Sequence, residues 1–391
     1  MDIWVHKYGG AAVSSIEKLE SVADHIVATQ AQGKRLVVTI SAMGEETDKL
    51  MALANQINQS PPKRELDMLL TAGERVSMAL LSMALAKRGV DAQSLTGSQC
   101  GILTDAVHGN ARIREIRGDR IKEGLQSNRV VIVAGFQGVN PETREVTTLG
   151  RGGTDLSAIA LAGILGAKRC CLFKDVDGIL TADPRVVANP RLISKLHWKT
   201  MDRLARSGAK VLHARGAHLA QKMGVPFEIC PSADPFRSGT IVDGSCIMES
   251  SQIIAVSQIQ NLVLVKFEWS KDGEDPVSLL RKELWKNEDC QPWIKYSEIG
   301  SKRYCEILIK KENLNLVKER SNDLVIDEML EDLGLITVVG TGFFQEESLV
   351  SQVVGQCTKA VRVDVQNDAI SAVVPSSDLE RTLQSIHGLI I

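Results

Sequence analysis

Lys7 stands two residues ahead of Gly9 and Gly10, at the end of an apolar run, and that arrangement suits anion binding. Glycines where a strand gives way to a helix let backbone N–H groups approach an anion, and the helix N-terminus adds a favourable dipole. A neighbouring ammonium can neutralise a phosphate. A second loop, residues 147–155 (TTLGRGGTD), sets Arg151 among Gly150, Gly152 and Gly153, with a helix expected over 154–165. Arginine suits a bidentate grip on a carboxylate. Asp155 has two readings: compensation of the helix dipole, or organisation of Mg²⁺ and the loop lysine around a transferring phosphoryl group. A third stretch, 174–185 (KDVDGILTADPR), leaves a strand at Lys174 and turns irregular and polar, with Gly178 and Pro184. Strand exits of this kind are where open α/β sheets bind ligands. It is no EF-hand, because Val186 occupies the position of the bidentate Glu.

The chain has no GxxxxGK[ST] and no GxGxxG opening a βαβ unit, and it lacks the HRD and DFG elements. P-loop, dinucleotide-binding and protein-kinase readings therefore fail.

Such loops need a frame. Residues 3–8, 36–40, 130–134 and 170–174 read as strands. Apolar positions 16, 19, 22, 23, 26 and 27 keep a helical period over 16–30, and 65–88 is a further helix. Runs rich in β-branched residues and lacking alternation, bounded by helices, predict an α/β fold with a mainly parallel sheet covered on both faces. Past 250 the pattern changes. Less continuous strands (262–267, 304–309, 336–339, 361–365, 369–374) alternate with short helices (276–285, 349–357, 379–386). Residues 336–391 run β-α-β-β-α, and 262–335 do so more loosely, which is the order of ferredoxin-like units. The expected domains are 1–245, 250–335 and 336–391. They are joined by 234–250, which carries Pro235, Gly239, Gly244 and several serines.

A length of 391 residues calls for two or three domains, and 44% hydrophobic with 24% charged residues is a globular composition. The formal charge of −2 leaves no basic excess for nucleic acid, and 4% aromatics offer few stacking platforms. The longest apolar stretch is read as 159–167, too short for a bilayer, so no membrane partner is expected. No signal peptide is read at the N-terminus, because a His-Lys pair follows the first strand residues at once. The eight cysteines include no CxxC, and Cys170 and Cys171 are adjacent. They read as reduced core thiols of a cytoplasmic protein. His213 and His218 have no acidic partner at motif spacing, so no zinc site is expected. Met78 and Met83 are assigned to the core.

Taken in order, KYGG (7–10), SAMGEETD (41–48), TAGERVS (71–77), TGSQCGILTD (96–105), HGNARI (108–113), VVIVAGFQGV (130–139), TTLGRGGTDLSA (147–158), DVDGILTADPRVV (175–187) and GAKVLHAR (208–215) resemble the aspartate kinases of the amino-acid kinase family. The type resembled is the bacterial monofunctional one with paired ACT domains. The likeness is close over 3–245 and holds only in outline along the tail. It implies an amino-acid-kinase fold followed by two ACT units, with ATP, Mg²⁺ carried by the ATP, and L-aspartate as reactants. Lys7 with the Gly9 and Gly10 amides would hold the phosphates, and Asp155 would orient Lys7. Ser41 would sit near the γ-phosphate and Thr47 near the amino acid. Glu74 would meet the substrate ammonium. Arg151 would meet its α-carboxylate, with Gly152, Gly153 and Thr154 beside it. Lys174, Asp175, Leu180 and Arg185 would line the nucleotide pocket, and Lys210 would reach back to the phosphates. Without the resemblance, Ser41 and Thr47 read as turn residues and Glu74, following a glycine, as dipole compensation. The reaction implied is formation of 4-phospho-L-aspartate, the first step toward lysine, threonine and methionine. It also implies a homo-oligomer paired through the tail and an amino-acid effector.

The chain departs from the family pattern in places. Ala11 and Ala12 stand where the family carries hydroxyls after the glycine pair. Lys174 replaces a hydroxyl residue and Leu180 an aromatic. Asp275-Pro276 is followed by Val277 instead of the glycine of the first effector turn. The second unit has Gly340 and Gly342 but no Pro-Gly before Leu349. Without those glycines a ligand is less easily approached by backbone, so weakened or altered feedback is expected. Met248 could start a separate tail subunit. Two rival readings remain: a kinase of the same fold acting on a related substrate, and a non-catalytic binding homologue.

Overall fold

The computed structural model describes residues 2–245, 251–269, 275–278, 280, 293–299, 302–320 and 325–390. Met248, Cys246, Cys290, Ile391 and most of the helix expected over 276–285 lie outside the described residues. Internal contacts divide the chain into two units. The first holds Met1–Ile179, Leu192–Lys199 and Val211–Cys246, and the second Leu180–Arg191, Thr200–Lys210 and Ile247–Ile391. Two segments from within 1–245 thus group with the tail.

In the first unit the apolar runs form a central eight-stranded sheet. Its strands are β1 (Ile3–Tyr8), β2 (Arg35–Ile40), β3 (Ala92–Leu95), β4 (Val130–Ala134), β5 (Arg169–Lys174), β6 (Lys195–His197), β7 (Phe227–Pro231) and β8 (Thr240–Asp243). Their order is β6-β8-β7-β5-β1-β2-β4-β3, and β7–β8 is the antiparallel pair in an otherwise parallel array. All five residues of β4 are buried, as two covered faces require. One face carries Tyr8, Val38, Ile132 and Phe173. It packs on Leu19 and Ile26 of α1 (Ile16–Ala31) and on Leu81 and Leu85 of α3 (Lys63–Lys87), while α2 (Glu46–Ile57) precedes α3 in the chain. Helix α4 (Gly153–Leu165) is buried at every position from 153 to 162 and packs against β1 and β5. An all-round apolar helix is a core helix. A second small sheet, from Ile102–Thr104, Ile113–Ile116, Gln137–Val139 and Val146–Thr148, leads into the arginine loop.

Three expectations need correction. The chain does not pass straight from Gly10 into α1: a 3₁₀ turn, Gly10–Val13, intervenes, and α1 starts beyond Ser15, whose side chain accepts the Lys18 amide. The longest apolar helix is α3, not 159–167. It alone among the described helices has the length and composition to cross a bilayer, but here its apolar face lies on the sheet and it buries Asp67 and Glu74. Met78 is core as expected, whereas Met83 is exposed on the opposite side of α3.

The second unit is built on a six-stranded antiparallel sheet. Its strands are β9 (Gln252–Trp269), β10 (Ile294–Ile299), β11 (Lys302–Lys310), β12 (Val325–Thr341), β13 (Arg362–Val365) and β14 (Ala369–Pro375), in the order β10-β11-β9-β12-β14-β13. The C-terminal half of β9 with β10, β11 and the first half of β12 gives the ferredoxin-like order 2-3-1-4. The second half of β12 with β13 and β14 gives the same order, but its fourth place is filled by the N-terminal half of β9. The register shifts between Ile259 and Leu264, near Asn261 and Asp332 at positive φ, mark the changeover. Position 335 lies inside β12. Val353, Leu383 and Ile386 cover one half of the sheet, and Leu314 and Val317 the other. The six described cysteines are buried and free.

Candidate active site

Register places two lysines side by side. Lys7 pairs with Leu172 and Tyr8 with Phe173, so Lys174 emerges from β5 at the rim where β1 ends. The third residue of α4 faces both. Lys174 donates to Asp155 Oδ2 at 2.6 Å, and Lys7 Nζ lies 2.7 Å from Asp155 Oδ1 as an ion pair outside hydrogen-bonding angles. Side-chain exposure is 8% for Lys7 and 5% for Asp155. Burial alone would raise the Asp155 carboxyl, but the Lys174 and Lys7 ammoniums outweigh it and hold the group well below the usual carboxylate range. Burial lowers Lys7, opposed by Asp155. Asp155 therefore does not serve the helix as a cap; its carboxylate is committed to the two lysines. A Cβ at Gly9 would press on Lys7 Nζ at 3.2 Å, so the lysine would have to give slightly.

A chain of contacts runs from this triad to Glu74. Thr154, next to Asp155, accepts a hydrogen bond from Ser41 Oγ at 3.0 Å. The next residue, Ala42, donates its amide to Glu74 Oε1 at 3.2 Å. Glu74 Oε2 is buried and has no hydrogen-bond partner among the described residues. Burial pushes the Glu74 carboxyl up to about 7, partly offset by backbone amides. Glu74 lies mid-way along α3, not at a helix start, so dipole compensation is not its role. A buried, half-satisfied carboxylate fits a ligand ammonium. Gly10 belongs to the same floor, its carbonyl accepting the Gly44 amide. Thr47 is half-buried in the first turn of α2.

Arg151 is exposed, four residues before Asp155, and makes no ion pair among the described residues. Gly152 follows at φ +67, a left-handed conformation that opens α4 directly; a Cβ there would strike the His213 ring. The first amides of α4 have no side-chain cap, which suits an anion.

Comparison with known proteins gives the family. The model of the amino acid kinase family matches residues 2–231. A curated aspartokinase of Corynebacterium efficiens is 37% identical over 99% of this chain and 96% of its own length, and aspartokinase 2 of Bacillus subtilis is 35% identical over 99% and 97%. The chain belongs to the amino acid kinase family, on its aspartokinase branch. The solved structure of E. coli aspartokinase III with aspartate and ADP shares the fold, with a TM-score of 0.81 over 99% of each chain at 22% identity. The expected fold class, an amino-acid-kinase domain with ACT-like units, stands.

The family positions are divided between the two units. Asp175 is exposed just past Lys174. Leu180, Arg185 and Lys210 belong to the second unit. There Arg185 grips Asp183 through two hydrogen bonds, at 2.6 and 3.0 Å, and the Lys210 charge also acts on that carboxyl. The structure also adds a brace that the sequence reading missed. Buried Asp67, two turns before Glu74 on α3, accepts Thr148 Oγ1 at 2.5 Å and the Gly109 amide at 3.1 Å, and pairs with His108 at 2.7 Å. Arg215 donates to the Leu149 carbonyl at 2.6 Å. Both contacts fix the strand that feeds the Arg151 loop. The available signal was a pair of acids at i and i+7 on the buried face of a helix rich in Leu, Met and Ala.

Proposed function

We propose that this chain transfers the γ-phosphoryl group of MgATP to the side-chain carboxylate of L-aspartate. The carboxylate has an ordinary pKa near 4 and is ionised at neutral pH, so no general base is needed. One of its oxygens attacks the γ-phosphorus, the bond to the β–γ bridging oxygen breaks, and ADP leaves with the electron pair. The product is the acyl phosphate 4-phospho-L-aspartate. What the protein must supply is alignment and neutralisation of two anions that repel each other.

The observation that carries the reading is the Lys7–Asp155–Lys174 triad, tied through Thr154, Ser41 and Ala42 to the half-satisfied Glu74. Phosphates would meet Lys7 and the amides of Gly9 and Gly10. The substrate ammonium would meet Glu74, and its α-carboxylate Arg151 and the amides of Gly152 and Gly153. This leaves the β-carboxylate to face the phosphorus. Both oxygens of Asp155 are engaged by ammoniums, so Mg²⁺ would be held by phosphate oxygens and arrive with the nucleotide. Asp175, just past Lys174, would lie on the nucleotide side. Buried, unpaired thiols suit a cytoplasmic enzyme, and the acyl phosphate would feed the synthesis of lysine, threonine and methionine.

In the tail, copies of the chain would pair through the ACT-like sheet. The Asp275 carboxylate is occupied, accepting the Val277 amide and the Tyr296 hydroxyl at 3.1 Å each. With valine in place of glycine after Pro276, response to lysine or threonine would be weak. Initial rates with each at millimolar concentration check this, and strong inhibition would refute it. The main test is hydroxamate formation with MgATP, hydroxylamine and a panel of acidic amino acids. Aspartate should lead the panel. A better rate with another acid would point to the related-substrate reading that Ala11, Ala12 and Lys174 favour. No hydroxamate at all would leave a binding protein.

A further inference from the structure

Lys174 gives the phosphate end of the site a charge that its own contacts do not balance. Lys7 and Asp155 already form a complete ion pair. Lys174, 15% exposed, adds a second ammonium to the same carboxylate. Among the described residues neither lysine meets another carboxylate within ion-pair distance. Asp175, whose charge reaches Lys7 weakly, is exposed to solvent. Desolvating a second ammonium without its own counter-ion is costly unless an anion completes the set.

We propose that Lys174 and Lys7 form a two-lysine clamp on the terminal phosphates of the nucleotide, with Asp155 as the shared counter-ion that holds both in place. The inference rests on the kinase reading above and goes beyond it by giving Lys174 direct contact with the β- and γ-phosphates. Three observations support it. The lysines leave adjacent parallel strands at the sheet edge where α/β folds bind ligands. Only one of the three N–H donors of Lys174 is needed for Asp155 Oδ2. The glycine pair beside Lys7 is followed by Ala11 and Ala12, which bring no hydroxyl to the phosphates, so an ammonium from the neighbouring strand supplies donors that the first loop lacks. A clamp of two point charges suits a polyanion better than a monocarboxylate.

The test is calorimetric titration of the full chain with AMP, ADP and a non-hydrolysable ATP analogue in the presence of Mg²⁺. Wild type, Lys174→Met and Lys174→Arg are compared. Lys174→Met should weaken ADP and the ATP analogue by about tenfold or more, as loss of a charge-assisted contact does. AMP should stay within about twofold, and arginine should restore most of the loss. Equal losses for all three nucleotides would mean that Lys174 only props the pocket, and no loss would mean that it does not touch phosphate; either overturns the clamp. In both cases the kinase reading stands so long as wild type binds the ATP analogue. A wild type that binds no nucleotide overturns both. Asp155 keeps Lys7 in the methionine variant, so it should fold; if it does not, Lys174→Thr is titrated in the same way.

Discussion

The two ends of the site differ before any ligand arrives. At the phosphate end, the Asp155 carboxylate sits between the ammoniums of buried Lys7 and half-buried Lys174, at 2.7 and 2.6 Å. At the amino-acid end, Glu74 is buried with one oxygen that has no partner among the described residues, and Arg151 stands in solvent. The first end is organised by the fold, whereas the second waits for a zwitterion to complete it. Damage at the phosphate end should therefore destroy both structure and turnover. Damage at the amino-acid end should raise KM and leave the empty protein intact or even firmer.

Asp155→Asn should have the largest effect. It removes the one carboxylate that, among the described residues, pairs with both ammoniums, and breaking a buried pair is strongly destabilising. Hydroxamate turnover should fall by roughly three orders of magnitude, with a lower melting temperature. A variant that melts like wild type would remove the claim that this end is held together by charge.

Glu74→Gln comes next and should act in opposite directions on function and stability. Loss of the carboxylate should raise the KM for aspartate by about a hundredfold, in line with a lost charge-assisted contact. Stability should move the other way. The folded-state pKa, about 7, lies above the ordinary glutamate value of 4.5. Below pH 4.5 the group is protonated in both states and contributes nothing. Between 4.5 and 7 the unfolded chain releases the proton first, so the folded protein loses stability as pH rises. Above 7 the cost is complete, on the order of 3 kcal/mol. Glutamine removes that cost, so the empty variant should melt higher than wild type at pH 8 and match it near pH 4.5. The same titration predicts that aspartate affinity of the wild type improves from pH 6 to 8, a trend the variant should lack. A flat wild-type profile would mean that Glu74 is ionised throughout.

How far the sequence revealed this asymmetry depended on whether the interaction was local. The run VVIVA at 130–134 announced β4 to the residue, and the glycines around Arg151 marked their loop. The N-terminal half of β9 was hidden, because Gln258, Gln260 and Asn261 break its apolar pattern and its partner strand begins more than sixty residues later. The four short strands of the small sheet, three or four residues each, carry too little pattern to be read. Lys7 and Asp155 could be picked out from their glycine neighbours. That Lys174 shares Asp155 follows only from the β1–β5 register, which no spacing along the chain encodes. The Asp67 brace joins residues 81 apart through a hydroxyl, and an acid within an apolar helix gives no hint of its partner.

Arg151→Lys should have a smaller effect than Glu74→Gln. The side chain is solvent-exposed, so stability should stay within about 0.5 kcal/mol of wild type. Replacing a planar fork by a point charge should raise the KM for aspartate by about tenfold and leave kcat nearly unchanged.

Thr148→Val should be the mildest, and it tests whether the arginine loop is held from behind. The Thr148 hydroxyl donates to Asp67 Oδ1 at 2.5 Å, inside a buried set that also includes the Gly109 amide and His108. Valine keeps the volume and leaves Asp67 one donor short, which should cost about 1–2 kcal/mol of stability. Thr148 lies three residues ahead of Arg151 and touches no reactant. If the brace positions the loop, aspartate KM should rise a few-fold while nucleotide affinity stays put. If the brace only stabilises the small sheet, the melting temperature should drop with both constants unchanged. The first result would mean that the amino-acid end, although unpaired at its tips, is held rigidly at its root.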